Sequence, residues 1–125
     1  MALIHEQLTE RIIGAAIDVH RVLGPGLLET AYEECLCYEL SRLSLEFQRQ
    51  VAVPLRYKAI RLDCGYVADV VVEDAVLIEL KAVEKIHPIH EAQLLTYLKI
   101  TEKRVGLLIN FNVAVLKDGI VRRVV

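Results

Sequence analysis

The sequence predicts a mixed α/β fold: two helices first, then strands, one more helix, and strands again. Three observations carry this expectation. Apolar residues recur at helical spacing near the start and again after Pro88. Short runs rich in Val, Leu and Ile, bounded by turn residues, fill the middle of the chain. Between Val76 and Phe111 a strand pattern, a helix pattern and a second strand pattern follow one another, as in a crossover connection. The 125 residues suit one domain spanning 1–125, and there is no low-complexity tract or internal repeat.

Leu8, Ile12, Ala16, Val19 and Leu23 stand three or four residues apart and predict an amphipathic helix over about 5–23. Gly24-Pro25-Gly26 ends it, because Gly tolerates positive φ and Pro cannot continue a helix. A second helix over about Leu28 to Leu43 completes a helical hairpin. Phe47, Val51, Val53, Leu55 and Tyr57 then mark one extended stretch, in which Pro54 signals a sheet edge or an irregularity. A turn at Lys58 to Ile60 leads into a strand from Leu62 to Glu73, and Asp74 starts a reversal into an antiparallel partner, Val76 to Val83. Pro88 opens a third helix running to about Ile100, with Leu94, Leu95 and Leu98 as its stripe. Val105 to Phe111 reads as a fully buried strand, parallel to its predecessor across the crossover. In the tail, Asp118-Gly119 lies between two β-rich runs and predicts a C-terminal β-hairpin. The order is αα-βββ-α-β with that hairpin at the end.

Composition excludes several classes. The net charge of −2 gives no long-range attraction for nucleic acid, so any such contact needs a local patch. Candidates are Lys99, Lys103, Arg104, Lys117, Arg122 and Arg123. The opening MALIHEQLTE has no basic segment leading into an apolar one, and no stretch approaches the roughly 20 apolar residues of a membrane span. A soluble, cytoplasmic protein with no membrane partner is expected. Cys35, Cys37 and Cys64 show no disulfide pattern; the first two lie about 200° apart on their helix and cannot share a metal. His20, His87 and His90 lack zinc-ligand spacing, and His20 stands where it can meet the C-terminus of its helix.

Two strands carry ionisable residues where a core strand should be apolar: Asp69 within YVADVVV, and Glu79 and Lys81 within VLIELKAV. Side chains alternate along a strand, so Glu79 and Lys81 share a face, opposite Ile78, Leu80 and Ala82. An unpartnered buried charge costs several kcal/mol, so such groups neutralise each other or a bound cation. Carboxylate oxygens suit a hard divalent ion. The ordinary alternative is an exposed same-face ion pair, which is common and weak. Glu29 is also oddly placed, since Leu36 and Leu40 lie within about 20° of it around the second helix. A first-turn acid is favoured by the helix dipole, but that does not explain its face. Tyr32, one turn on, is expected in the core with its hydroxyl bonded. His90, Gln93 and Tyr97 fall within about 60° of one another and form a polar face on the third helix.

The stretch Gly26-Leu27-Leu28-Glu29-Thr30-Ala31-Tyr32 matches a GxxExxY motif, and it continues in order through Asp69, Glu79-Leu80-Lys81, HEAQLLTYLK, GLLINFN and GIVRRV. The chain resembles the GxxExxY family, mostly bacterial proteins within the PD-(D/E)xK nuclease superfamily. The resemblance implies a restriction-endonuclease-like mixed sheet and hydrolysis of phosphodiester bonds in nucleic acid, with DNA favoured. It further implies that Asp69 and Glu79 hold Mg²⁺ or Mn²⁺, that Lys81 serves the attacking water, and that Glu29 is an auxiliary metal ligand or a residue supporting the ligands. Gln93 and Tyr97 resemble a QxxxY element that borders the site and contacts substrate, with His90 beside them. Ala68 departs from the pattern, standing where the superfamily's name has Pro. Two alternatives remain: an inactive relative kept as a nucleic-acid or protein-binding module, and a toxin-like or defence component acting with an unidentified protein partner. The apolar content also suits a homodimer.

Overall fold

A computed structural model describes residues 4–125. The reading of the chain's start rests partly on Met1, Ala2 and Leu3, which lie outside the described residues. Helices α1 (Glu6–Leu23) and α2 (Glu29–Arg42) form the expected hairpin. Strands β1 (Phe47–Ala52), β4 (Val67–Val72), β5 (Val76–Lys81), β6 (Val105–Asn110) and β7 (Ile120–Val124) form one sheet in the order β1-β4-β5-β6-β7. The β5–β6 pair is parallel and the other three are antiparallel. That is the mixed α/β arrangement predicted, including the parallel crossover through α3 (Pro88–Thr101). No helix is long and apolar enough among the described residues to cross a membrane.

The strand period of two divides the core into two layers. Val70, Val72, Val76, Ile78, Leu80, Leu107 and Ile109 pack beneath α1 and α2, against Ile12, Ala16, Leu36 and Leu40. Val71, Leu77 and Leu108 pack on the other face, under Leu94, Tyr97 and Leu98 of α3. Gly106 lets α3 lie close: a Cβ there would come within 2.8 Å of Leu94 Cδ1.

Two expectations need correction. The extended stretch over 47–57 is not one strand. Pro54 has no N–H to continue a ladder. Val53 still donates to the Tyr66 carbonyl at 2.8 Å. Beyond it the chain leaves the sheet as a separate hairpin, β2 (Leu55–Tyr57) paired with β3 (Ile60–Leu62). Leu62 therefore belongs to that hairpin, and the main strand begins only at Val67. The C-terminal hairpin within the tail is likewise absent. Asp118 and Gly119 lie in a 3₁₀ turn, Leu116–Gly119, with the Asp118 N–H donating to the Val115 carbonyl at 3.1 Å. Only the second half of the tail is a strand, and it pairs with β6. Gly119 is required there, since a Cβ would sit 2.3 Å from the Asn110 carbonyl oxygen.

His20 also departs from expectation. Its Nε2 lies 2.8 Å from the Val113 carbonyl, so the ring ties α1 to the loop after β6 rather than to its own helix end. The three cysteines are free: Cys37 is buried, Cys35 half-buried and Cys64 exposed. Burial pushes the Cys37 thiol up to about 11, which makes it inert at neutral pH.

Candidate active site

β4 and β5 pair antiparallel with Val70 opposite Ile78, Val71 opposite Leu77 and Val72 opposite Val76. One further step in that register sets Asp69 opposite Glu79. Alternation from Leu77 turns Glu79 and Lys81 to the α3 side, while Asp69 stands at a break in the alternation, with Val70 on the side of α1 and α2 and Ala68 on the α3 side. The regular ladder stops at this step because the Asp69 side chain takes over from the backbone: its Oδ2 accepts the Leu80 N–H at 2.8 Å. Its Oδ1 has a long 3.4 Å contact from the Gln50 amide.

Glu79 is only 5% exposed, and its Oε1 has no hydrogen-bond partner. Burial pushes its carboxyl up to about 9, helped by the charge of Asp69, by a hydrogen bond with Asp69 and by the charge of Glu29; Lys81 pulls the other way. Glu79 is therefore protonated at neutral pH in the free protein. Glu79 thus meets Asp69 as a neutral carboxyl, and a cation would replace its proton.

Glu29 and Lys81 both lie near enough to act on Glu79 electrostatically. Glu29 is the first residue of α2 and is exposed. The GxxExxY residues around it have a visible structural task. Gly26 adopts φ +95°, a conformation open to glycine. The Tyr32 hydroxyl donates to the Gly24 carbonyl at 2.6 Å and accepts the Leu27 N–H at 3.1 Å. Its ring stacks on Phe111, centroids 4.4 Å apart. Tyr32 thus belongs to the core with its hydroxyl bonded, as predicted, and it fastens the loop that aims Glu29.

On α3, the expected polar face turns inward at one end. Tyr97 is 5% exposed, and its hydroxyl is pushed up by burial and then by the charges of Glu79, Tyr66 and Asp69. His90 is lowered by desolvation and by the nearby charges of Lys81 and His87, while Glu29 opposes the shift. Its Nδ1 accepts the His87 N–H at 3.0 Å, which caps the start of the helix. Gln93 lies between His90 and Tyr97 on the same face, half-buried. Asn110, 2% exposed, holds the far end of β5: its Nδ2 donates to the Val83 carbonyl at 2.9 Å and its Oδ1 accepts the Val83 N–H at 3.1 Å.

Three residues escaped the sequence reading. Glu33 is 8% exposed; its Oε2 accepts Arg49 Nε at 3.0 Å and Nη2 at 2.7 Å, and its Oε1 accepts the Gln50 amide at 2.8 Å. Gln50 adopts φ +51° in the middle of β1, where Asp69 would otherwise pair with it. A left-handed glutamine in a strand is strained, so the surrounding contacts must hold it. The Glu33–Gln50–Asp69 chain is what they hold. The only signal in the sequence was the polar run Gln48-Arg49-Gln50 inside a strand pattern.

Among the described residues no three His, Cys, Asp or Glu side chains close into a ready-made metal cage. The donors present nonetheless fit a hard cation. Asp69 and Glu79 offer facing oxygens, one of them buried and unpartnered. Mg²⁺ is commonly held by one or two carboxylates with waters completing its shell, so it does not require a third fixed ligand. Residues 6–124 match the family model of the PD-(D/E)XK nuclease superfamily. Neither a curated protein nor a solved structure gave a significant match.

Proposed function

The chain belongs to the PD-(D/E)XK nuclease superfamily, and from that premise we propose that it is a divalent-metal-dependent nuclease hydrolysing phosphodiester bonds, with DNA as its substrate. We place it among the GxxExxY proteins, as one domain over residues 1–125; the motif's Gly26 and Tyr32 set the loop before α2, and its Glu29 is the first residue of that helix. The observation that carries the reading is Glu79: a buried carboxyl facing Asp69 with an oxygen that no protein donor satisfies.

Asp69 and Glu79 are the metal ligands in this reading, and Glu29 approaches from the N-terminus of α2 as an auxiliary ligand. Nucleases of this superfamily generally depend on a divalent metal, which when bound polarises the phosphodiester and acidifies water. The Leu80 N–H holds Asp69 in place by one oxygen, which leaves the other lightly engaged. Lys81, on the same strand face as Glu79, orients the attacking water and offsets charge growing on the phosphoryl oxygens. Tyr97, Gln93 and His90 border the site and contact substrate.

The test is cleavage of labelled DNA and RNA by the purified protein in Mg²⁺ or Mn²⁺ against a chelator control. Lys81→Ala should abolish cutting with its melting temperature nearly unchanged, because the side chain is half-buried at a strand end. A folded wild-type protein that neither cuts nor binds a divalent ion would overturn the reading and leave a nuclease-like binding module.

A further inference from the structure

We propose that the β2–β3 hairpin, with the side of α3 facing it, is the surface that captures an unpaired strand of nucleic acid and delivers it to the carboxylates past Tyr66. The inference rests on the nuclease reading but names a surface and a substrate form that the reading leaves open.

The basic residues expected to meet phosphate are largely engaged. Lys103 Nζ donates to Asp74 at 2.6 Å. Arg123 pairs with Glu91, Arg122 donates to the Ile4 carbonyl, and Arg104 donates to the Val125 carbonyl. Each of these cations is tied to the protein itself. The hairpin differs. Among the described residues Arg56 and Lys58 form no ion pair, and Lys58 Nζ lies over the Tyr57 ring, 5.4 Å from its centroid. Arg61 has only a loose 3.6 Å contact with Asp63, both side chains well exposed. A small two-stranded unit thus carries three cations in a chain of net charge −2.

Its apolar side chains are equally unspent. Tyr57 is 60% exposed and Ile60 54%. Between the hairpin and α3 runs a groove of about 750 Å³, lined by Leu55, Tyr57, Leu62 and Ile100, with Arg56, Lys99 and Glu102 also on its walls. That volume suits a nucleobase and its sugar. Aromatic rings and apolar walls reward exposed base faces, which a duplex hides in its stack, and neighbouring cations track the phosphates of a single strand.

Two tyrosines link the hairpin to the site. The Val53 N–H bond to the Tyr66 carbonyl clamps the base of the hairpin onto the sheet. The Tyr66 ring meets Tyr97 edge-on, centroids 6.3 Å apart. Tyr97 lies within the field of Glu79 and Asp69. The hairpin thus adjoins, through Tyr66 and Tyr97, the α3 side of the sheet on which Glu79 lies.

The experiment measures binding of labelled oligothymidylate, oligouridylate and a duplex of equal length to the full chain carrying Glu79→Gln, with a chelator present so that nothing is cut. Either single strand should bind at least about tenfold more tightly than the duplex. Arg56→Ala with Lys58→Ala should weaken strand binding about tenfold and flatten its salt dependence by more than one unit of log–log slope, since about 0.7 is lost per released counterion. Tyr57→Ala should weaken it about fivefold or more, at unchanged melting temperature. Preference for the duplex, no binding of either strand, or indifference to all three substitutions overturns the inference. The two readings fail separately. Cleavage by the wild type that these substitutions leave untouched removes the hairpin's role and keeps the nuclease, whereas strand binding through the hairpin without any metal-dependent cutting does the reverse.

Discussion

Glu33 and Glu79 are nearly equally buried, 8% and 5% exposed, yet the protein treats them in opposite ways. Around Glu33 both oxygens are occupied by donors from β1, the Arg49 guanidinium and the Gln50 amide. Around Glu79 one oxygen has no partner, the charge of another carboxylate, Asp69, acts on it, and burial holds the proton up to about 9. A buried carboxylate completed by the protein's own donors stabilises a fold; one left incomplete stabilises little until something arrives to complete it. Burial alone does not mark a site. The missing partner does.

The largest expected effect tests the incomplete acid directly. Glu79→Gln keeps the shape and removes the anionic ligand, so cleavage should fall by about two to four orders of magnitude and divalent-ion binding should disappear in calorimetry. Retention of both would place Glu79 with Glu33, as a structural residue. Next in size is a pH effect on the metal-free protein. Unfolded, Glu79 titrates near 4.5; folded, near 9. Between those values the folded chain holds the extra proton, so its stability is full below about pH 4.5 and falls as pH rises toward 9. Thermal melts across that window should show a loss on the order of a few kcal/mol, and Glu79→Gln should flatten the curve. A flat wild-type profile would show that Glu79 ionises freely in the folded chain.

Glu33→Ala approaches the comparison from the completed side. It strands the Gln50 amide and leaves Arg49 with only its exposed partner Glu34, and because the Arg49 side chain is 35% exposed the loss is discounted to about 2 kcal/mol. Denaturant unfolding reads it, and cation affinity should change far less than in Glu79→Gln. A smaller effect is expected for Tyr32→Phe. Two hydrogen bonds to the loop before α2 are lost, about 1 kcal/mol, and cleavage should drop severalfold as Glu29 loosens. The smallest is Gln50→Gly: relief of the positive φ offsets the lost contacts, so stability should change by less than about 1 kcal/mol while cleavage declines a fewfold as Asp69 loses its lateral contact.

Much of the fold was legible because its signals are local. The spacing from Leu8 to Leu23, the Gly24-Pro25-Gly26 stop, Pro88 at a helix start and the turn at Asp74 each specify nearby backbone, and all appear where expected. Errors came where a local signal admitted two outcomes. The stretch from Phe47 to Tyr57 is broken at Pro54 into β1 and β2 instead of running on as one strand. Asp118-Gly119 made a 3₁₀ turn rather than a hairpin turn, and the strand that follows it pairs with β6 instead of with the residues before the turn. The candidate residues Asp69, Glu79 and Lys81 stood out because charge interrupts apolar strands. Gln50 and Glu33 did not, since polar residues on an edge strand and a helix surface are ordinary.

By itself the sequence determined the three helices and the strands at the core of the sheet, the face shared by Glu79 and Lys81, and the loop that presents Glu29, all of which follow from backbone preferences within a few residues. The tertiary structure alone decided that Asp69 faces Glu79, that Tyr97 turns inward beside them, and that Glu33 finds its donors while Glu79 does not. Strand register and helix docking bring together groups far apart in the chain. Whether a buried charge is satisfied depends on those distant neighbours, which no local pattern encodes.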